Sequence, residues 1–590
     1  MPVVDLSHAP PFRRLLVANR GEIAVRVMRA CRELKIETVA LYAADEERAL
    51  HVTEADDAYR IPSTAAVPYL DIEVLVATAL RAEATAVHPG YGFLAESGAF
   101  AEACVAAGLT FVGPPAAAIR AMGDKVAARR IAREAGVPVV PGSDGPVASL
   151  AQARDWAEEH GYPVVVKASG GGGGRGFRVA RDASELEAAF TGAAGEAERF
   201  FANPTVYLER YLERPRHIEI QLMADAHGTI VAVGDRDCSV QRRHQKLIEE
   251  APAPGIPPAT RTALWQAAVA LARTVDYRNA GTVEFLLDAD GAFAFLEMNT
   301  RIQVEHPVTE AVTGIDLVKE QILVAAGNPL SFTVDDVSAH GHAIECRINA
   351  EDAARNFAPA PGVVSDYREP GGFGVRVDSA MEPGGAVLAA YDSLIAKLIV
   401  WGRDRDEALS RMERALADFV VRGVPTTIPF HRAVLARAEF RAGAVATTFL
   451  ADHPDLLAGS SSETIEAAPV ESRLVIAEVN GRRFEVRLIE NRDETPAAKR
   501  PSGRGQARPR AKARRAPAAD GHELLSPLQG TVLRVVAAAG KKIGRGETVC
   551  IVEAMKMENE LVAHRDGTVE SLVVGQGDAI KIGDLVAVIA

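Results

Sequence analysis

The most chemically suggestive stretch runs from Val283 to Asn299, where apolar residues alternate with acids around Asp290-Gly291. Asp-Gly between two such runs predicts a β-hairpin closed by a two-residue type I′ turn. That turn sets Glu284 directly opposite Glu297. Paired Cβ atoms lie ~5 Å apart, and two carboxylates at that range repel unless a cation stands between them. Period two puts Asn299 on the same face as Glu297, so two carboxylates and an amide oxygen converge, a hard donor set suited to Mg²⁺ or Mn²⁺. A solvated strand face could also carry unrelated acids, but the Leu and Phe residues on both strands place them in a core. Repulsion alone further implies that replacing either glutamate by glutamine leaves stability without metal unchanged or slightly higher.

Beyond this hairpin come Arg301, Gln303, Val304, Glu305, His306 and Pro307, and Arg347 follows within the apolar run Ile344 to Ile348. Arginine offers a planar fork for an oxyanion, and a nearby carboxylate can act as a general base. Periodicity alone does not separate this set from a surface salt-bridge cluster. A second candidate precedes it: Tyr162-Pro-Val-Val-Val-Lys167, then five glycines from Gly170 to Gly174, Arg175-Gly176 and the short run Phe177 to Val179. Gly171, Gly173 and Gly176 fit G-x-G-x-x-G, but a dinucleotide fingerprint needs a helix directly after the loop. An extended segment follows instead, so the loop reads as a hairpin that closes over phosphates with unobstructed backbone N–H groups.

The elements that must hold these groups form several domains, since 590 residues exceed what one core supports. Residues 13–122 alternate strand and helix and predict a parallel α/β layer. Residues 123–330 carry the glycine loop and the acidic hairpin, and residues 331–453 continue as α+β. Residues 454–495 include a hairpin around Asn480-Gly481, a candidate docking element. Residues 496–520 hold eight Lys or Arg among Ala, Pro and Gly from Pro496 to Ala519, with no Leu, Ile, Val or aromatic residue, and read as a flexible linker.

Residues 521–590 repeat at an offset of 37, Gly530-Thr-Val532 recurring as Gly567-Thr-Val569 and Ile543 as Ile580. Each copy is too small to close a core, so the halves must interlock as one β-sandwich. The seam, Glu553-Ala-Met-Lys-Met557, would lift Lys556 into solvent.

A net charge of -13 argues against nucleic-acid binding. The basic linker reads as solvated rather than as a nucleic-acid or membrane site. Cys31, Cys104, Cys238, Cys346 and Cys550 show no metal or disulfide spacing. With no signal-peptide pattern and no run of ~18 apolar residues, a cytoplasmic protein that does not enter membranes is expected.

Six motifs carry a resemblance. Ala18-Asn-Arg-Gly-Glu-Ile-Ala24, His88-Pro-Gly-Tyr-Gly-Phe-Leu94, Gly170 to Gly176, Gln241-Arg-Arg-His-Gln-Lys246 with Glu249 to Pro254, and Glu297 to Pro307 resemble biotin carboxylase, an ATP-grasp enzyme. Glu553 to Met557 resembles the biotin attachment site of carrier domains. The resemblance is to the alpha subunits of biotin-dependent acyl-CoA carboxylases of the acetyl- or propionyl-CoA type. It implies an ATP-grasp body followed by a small all-β biotinyl domain.

By that resemblance, Lys125, Lys167, Glu209, His217, His244 and Lys246 contact ATP, with Gly172, Gly173 and Gly174 in the lid. Glu284, Glu297 and Asn299 hold Mg²⁺. Arg301, Gln303 and Val304 hold bicarbonate, Glu305 deprotonates it, and Arg347 stabilises charge developing on biotin. Lys246, Arg301, Glu305 and Arg347 form the catalytic set. Biotin sits covalently on Lys556.

Bicarbonate is a poor electrophile, so ATP must first convert it to carboxyphosphate before the biotin nitrogen attacks. The implied partners are a carboxyltransferase beta subunit, a transient biotin protein ligase, and further copies of the chain within a hetero-oligomer. Phe177 and Arg210 stand where Met and Lys are expected, departures that bear on nucleotide affinity alone. Lipoyl domains share the carrier architecture, but their lysine normally follows an acidic residue, whereas Met555 and Met557 flank Lys556. The alternatives are a non-catalytic carrier and docking subunit, against which the intact Lys246, Glu284, Glu297, Arg301 and Glu305 argue, and a purine carboxylase, against which the carrier argues. The acyl-CoA acceptor stays open.

Overall fold

The computed structural model describes residues 11–458, 471–479, 482–490 and 522–590, apart from positions 64, 66, 144, 169–176, 202, 244, 527–529, 555–556 and 582. The described residues divide into two compact units, those within 1–387 and 393–462 forming the larger and those within 388–392 and 463–590 the smaller.

In the larger unit the first layer is a five-stranded parallel sheet ordered Asp57–Arg60, Glu37–Tyr42, Arg14–Val17, Ala86–His88 and Thr110–Phe111. The α/β alternation predicts this layer, because apolar strands buried on both faces need covering helices. Strand order reverses between Arg14–Val17 and Ala86–His88, the position at which open α/β sheets leave a crevice. The motifs beginning at Ala18 and His88 follow those two strands directly. The Asn19 amide donates to the carbonyls of Pro89 at 2.7 Å and Tyr91 at 2.8 Å, tying one motif to the other. Gly90 has φ +62° and a Cβ there would lie 2.8 Å from Asn19 Nδ2, so only glycine suits the turn.

Lys246 and Arg347 lie on an eight-stranded antiparallel sheet, in the order Phe293–Asn299, Asn279–Leu287, Arg216–Ala224, Ile230–Arg242, Gln245–Ala251, His342–Asn349, Leu394–Gly402 and Val375–Ser379, and Arg301 and Glu305 in the segment that follows its first strand. Its apolar face packs on helix Pro258–Thr274 through residues such as Ile220, Leu222, Phe285 and Leu264. A separate three-stranded sheet is formed by Phe177–Ala180, Val164–Ala168 and Val206–Arg210. Val164–Ala168 runs antiparallel to Phe177–Ala180 with Lys167 opposite Phe177, as a hairpin requires. The loop glycines themselves, Gly172 to Gly174 included, lie outside the described residues.

In the smaller unit, Glu471–Val479 and Arg482–Glu490 pair along their full length, while Asn480 and Gly481 lie outside the described residues. The 37-residue repeat becomes two four-stranded sheets. One is ordered Glu523–Leu525, Leu585–Ile589, Gly567–Leu572, Lys542–Ile543, and the other Met557–Val562, Thr548–Ala554, Gly530–Val535, Ala579–Ile580. Each copy lends its short strand, Lys542–Ile543 or Ala579–Ile580, to the other's sheet, so neither half closes alone. Val532, Val549, Val569 and Val586, two repeat-related pairs, share the buried core. Ala554 pairs with Met557 across the seam, while Lys556 lies outside the described residues. No helix among the described residues is long and apolar enough to cross a membrane.

Candidate active site

Across four adjacent strands, Arg236 faces Glu219, Glu219 faces Glu284 and Glu284 faces Glu297. The predicted juxtaposition of Glu284 and Glu297 is therefore present, but the turn that makes it differs. The Asp288 amide donates to the Ala292 carbonyl at 2.8 Å and the Gly291 amide to Asp288 at 3.1 Å, so three residues close the hairpin, with Gly291 at φ +87°. This longer loop shifts the register by one, placing Phe285 against Phe295, and an irregularity between Phe285 and Glu284 restores the pairing with Glu297. A bulge thus aims the two acids where a simple type I′ turn would also have put them.

Three carboxylates in one row need positive charge, and side chains supply it. The Lys246 ammonium donates to Glu219, to Glu284 at 2.8 Å and to Glu305 at 2.7 Å. Each of those acids has a second cationic neighbour. Arg236 bonds Glu219, His217 Nε2 lies 2.9 Å from Glu284, and Arg347 bonds Glu305 at 2.8 Å. Burial alone would raise the Glu284 and Glu305 carboxyls; Lys246 with His217 holds the first below the usual carboxylate range, and Lys246 with Arg347 and Arg236 holds the second well below it. Burial opposes charge on Lys246, yet the three glutamates push it well above an ordinary lysine. A buried cation so placed can move toward an incoming phosphate without stranding an unpaired anion.

Gln303 joins the row to Arg236. Its Oε1 accepts from Arg236 at 2.7 Å, which turns its amide nitrogen toward Glu284 at 2.7 Å and Asn299 at 2.6 Å. Arg301 donates to Glu96 at 3.1 Å and to the Ile302 carbonyl at 3.1 Å, and its outer nitrogen lies 3.5 Å from Asn299 Oδ1. Arg347 is shared between Glu305 and Glu249, the latter at 2.6 Å. Burial pushes the Glu249 carboxyl up to about 7 despite that arginine. Lys125 lies 3.4 Å from Glu297. Lys167 and Arg129 both bond Glu209, in the three-stranded sheet. Phe177 lies beneath Lys167, whose ammonium is 5.7 Å from the ring centre, and Arg210 is exposed. His244 lies outside the described residues.

Contacts thus gather Lys246, Glu284, Glu297, Asn299, Arg301, Gln303, Val304, Glu305, Arg347, His217 and Lys125 around the sheet. Lys167 and Glu209 stand on the separate three-stranded sheet. Sequence reading misses Glu219, Arg236, Glu96 and Arg129, and gives no role to Glu249, which opens one of the motifs. A signal for Glu219 exists: His217, Glu219 and Gln221 alternate with Ile218, Ile220 and Leu222, the mark of a strand whose polar face is turned inward.

The donor set fits a divalent cation. Glu284 and Glu297 offer adjacent carboxylates, Asn299 an amide oxygen, and the charge the acids require is met by the ammonium groups of Lys246 and Lys125 and the imidazole of His217. The ion pairs also reverse the sign of the stability expected for Glu284. Glu284→Gln removes the shared partner of Lys246 and His217 and is expected to cost about 2 kcal/mol in the metal-free protein. Glu297 is partly exposed with one ion pair, so Glu297→Gln stays within about 0.5 kcal/mol of wild type. Urea unfolding without metal or nucleotide measures the difference; equal effects, or a gain for Glu284→Gln, would refute the pairing.

Family comparison agrees with this arrangement. Residues 11–119 match the biotin carboxylase N-terminal domain, 124–333 the carbamoyl-phosphate synthase L chain ATP-binding domain, 345–452 the biotin carboxylase C-terminal domain and 522–589 the biotin-requiring enzyme domain. The biotin-dependent acyl-coenzyme A carboxylase alpha3 subunit of Mycobacterium leprae is 45% identical, the alignment covering 98% of this chain and 99% of that one. Biotin carboxylase of Nostoc is 51% identical over 74% of this chain and 98% of its own length.

Among solved structures, the biotin carboxylase domain of Hydrogenobacter thermophilus 2-oxoglutarate carboxylase, in complex with MgADP, ADP and bicarbonate, superposes with TM-score 0.74 at 47% identity. It covers 76% of this chain and 99% of that one. Campylobacter jejuni biotin carboxylase gives TM-score 0.73 at 43% identity over 75% and 99% of the two chains. The chain is thus an ATP-grasp enzyme that carboxylates biotin with bicarbonate and ATP and carries its biotin domain on the same polypeptide, a member of the alpha subunits of biotin-dependent acyl-CoA carboxylases.

Proposed function

We propose that Glu305 is the base that deprotonates bicarbonate and that the residues around it divide the remaining work. The observation that supports this most is the position of Glu305 between Lys246 and Arg347, 2.7 and 2.8 Å away, which keeps it ionised and able to accept a proton. Arg301 and Gln303, with the Val304 backbone, orient the bicarbonate oxygens beside that carboxylate. Lys125, Lys167, Glu209, His217, His244 and Lys246 hold ATP under the lid formed by Gly172, Gly173 and Gly174. Lys246 then exchanges its glutamate partners for phosphate oxygen, each glutamate keeping its second neighbour. Arg347 steadies the negative charge that develops on the biotin ring as its nitrogen attacks. Mg²⁺ or Mn²⁺ held by Glu284, Glu297 and Asn299 supplies neutralisation of phosphate charge.

Lys556 bears the biotin, and residues 496–520 serve as the tether that brings it to the site. The chain works with a carboxyltransferase beta subunit, is biotinylated by a transient biotin protein ligase, and assembles with copies of itself inside the hetero-oligomer. The paired strands Glu471–Val479 and Arg482–Glu490 are the docking element. Five buried, unbridged cysteines suit the reducing cytoplasm. The interval between the biotin carboxylase match ending at 452 and the biotin match starting at 522 falls short of the ~100–150 residues of a usual domain and leaves no room for a second large α/β domain to bind acyl-CoA. The purified biotinylated chain, given ATP, labelled bicarbonate and acetyl- or propionyl-CoA, is expected to label its own biotin but no acyl-CoA. Adding the beta subunit starts transfer. Acid-stable label in acyl-CoA without a second protein would overturn the division of labour.

A further inference from the structure

The motifs beginning at Ala18 and His88 have no part in the roles above, yet both reach one buried group. Lys397, on strand Leu394–Gly402, is fully buried. It stands directly opposite Arg347 on one neighbouring strand and Asp378 on the other. Its ammonium lies 3.1 Å from Glu22 and 3.7 Å from Asp378, and it donates to the Val304 carbonyl at 3.0 Å. Glu22 belongs to the first motif and accepts from the Tyr91 hydroxyl of the second. The Tyr91 ring centre is 5.9 Å from the Lys397 ammonium. Asp378 is independently clamped by Arg376 at 2.8 and 2.7 Å.

Burying an ammonium completely is costly unless its protons are used. Here one of them is spent on a backbone carbonyl that lies between Gln303 and Glu305. The segment from Arg301 to Glu305 connects a strand to helix His306–Thr313 and is neither; Gln303 and Glu305 are held through their side chains, and the Lys397 bond is the one that holds the carbonyl between them. A charge-assisted bond from a rigid strand sets the height of the segment above the sheet, and the same strand sets Arg347.

We propose that Lys397 is a positioning residue for the carboxylation reaction, its ammonium, anchored by Glu22 and Asp378, holding the Val304 carbonyl so that Gln303 and Glu305 keep their spacing from Arg347. The inference rests on the assignment of Gln303, Val304 and Glu305 to bicarbonate. It gives the first motif a purpose, since Glu22 links the crevice of the parallel sheet to the reaction centre.

The test is steady-state kinetics of the full biotinylated chain with ATP, bicarbonate and free biotin. Lys397→Met is expected to raise the bicarbonate KM at least ~10-fold, because ångström-scale misplacement of reacting groups has effects of that size or larger. The ATP KM should stay within about twofold, since Lys125, Lys167 and Glu209 make no contact with this cluster, and Lys246, which touches Glu305, is also held by Glu219 and Glu284. A purely structural lesion would instead lower the active fraction and leave both KM values alone. Burial already pushes the Glu22 carboxyl up to about 7, so it can take a proton once its partner is lost.

Should Lys397→Met fail to fold, Glu22→Gln, which keeps the shape and loosens the anchor, is expected to raise the bicarbonate KM several-fold with the ATP KM unmoved, and Glu22→Asp to recover part of that loss. An unchanged bicarbonate KM in a folded Lys397→Met chain, or in Glu22→Gln where that chain does not fold, overturns the proposal. Arg301→Ala separates it from the reading it rests on: a raised bicarbonate KM there, with none in Lys397→Met, sinks the positioning role alone, whereas no change in either sinks the bicarbonate assignment as well.

Discussion

Lys556→Arg is expected to abolish biotin on the chain while ATP cleavage with bicarbonate and free biotin proceeds at the wild-type rate. Attachment consumes a lysine amine as nucleophile, and a guanidinium, protonated at every working pH, cannot replace it. The carrier should fold as before. Its core is built from residues such as Val532, Val549, Val569 and Val586 within the smaller unit, which the substitution leaves unchanged. The residues that bond Glu305 and Glu284 all lie in the larger unit. Transfer to the beta subunit with no free biotin added should fall below detection. Free biotin restores little of it at micromolar concentration, because a tether of this kind supplies an effective concentration of roughly mM. A biotin blot and intact mass, read beside a bicarbonate-dependent ATPase assay, check both halves. Biotin retained on the variant refutes the attachment site, and a lost ATPase refutes the independence of the two functions.

How far the sequence discloses such a site depends on whether its parts are local. The Glu284 and Glu297 pair belongs to one hairpin and is legible from alternation, although the inferred turn is one residue too short and a bulge makes up the difference. The carrier is legible from its repeat for a similar reason: offset 37 maps Gly530–Val535 onto Gly567–Leu572 and Lys542–Ile543 onto Ala579–Ile580, and the impossibility of closing either half predicts the exchange of short strands.

Glu219 escapes notice because its strand lies beside Asn279–Leu287, far along the chain, and no short-range period encodes that neighbour; Arg236 faces Glu219 within a local pair of strands, but its link to the site runs through Gln303, 67 positions away. Glu249 stands in a named motif, but its pairing with Arg347 across strands Gln245–Ala251 and His342–Asn349 is hidden for the same reason. Without its contacts to Lys246 and His217, Glu284 looks like a repelling acid awaiting a metal. With them it is a buried anion already paired, which is why the stability expectation changes sign.

Glu305→Gln is expected to remove bicarbonate-dependent ATP cleavage, by roughly 10² to 10⁴-fold for the loss of a general base, while nucleotide affinity stays near wild type. The amide is almost isosteric but has a single acceptor oxygen, so it keeps the bond from Lys246 or the one from Arg347, which go to different carboxylate oxygens in the native site. Lys246 retains Glu219 and Glu284, and Arg347 retains Glu249, so no buried cation is left without an anion. What is lost is the ability to take a proton, since an amide oxygen is far less basic than a carboxylate. ADP formation with and without bicarbonate, together with nucleotide titration followed by calorimetry, separates chemistry from binding. A variant that cleaves ATP at the wild-type rate only when bicarbonate is present would show that the proton goes elsewhere. If nucleotide binding fell in parallel with turnover, Glu305 would have to be read as a scaffold for Lys246 rather than as the base.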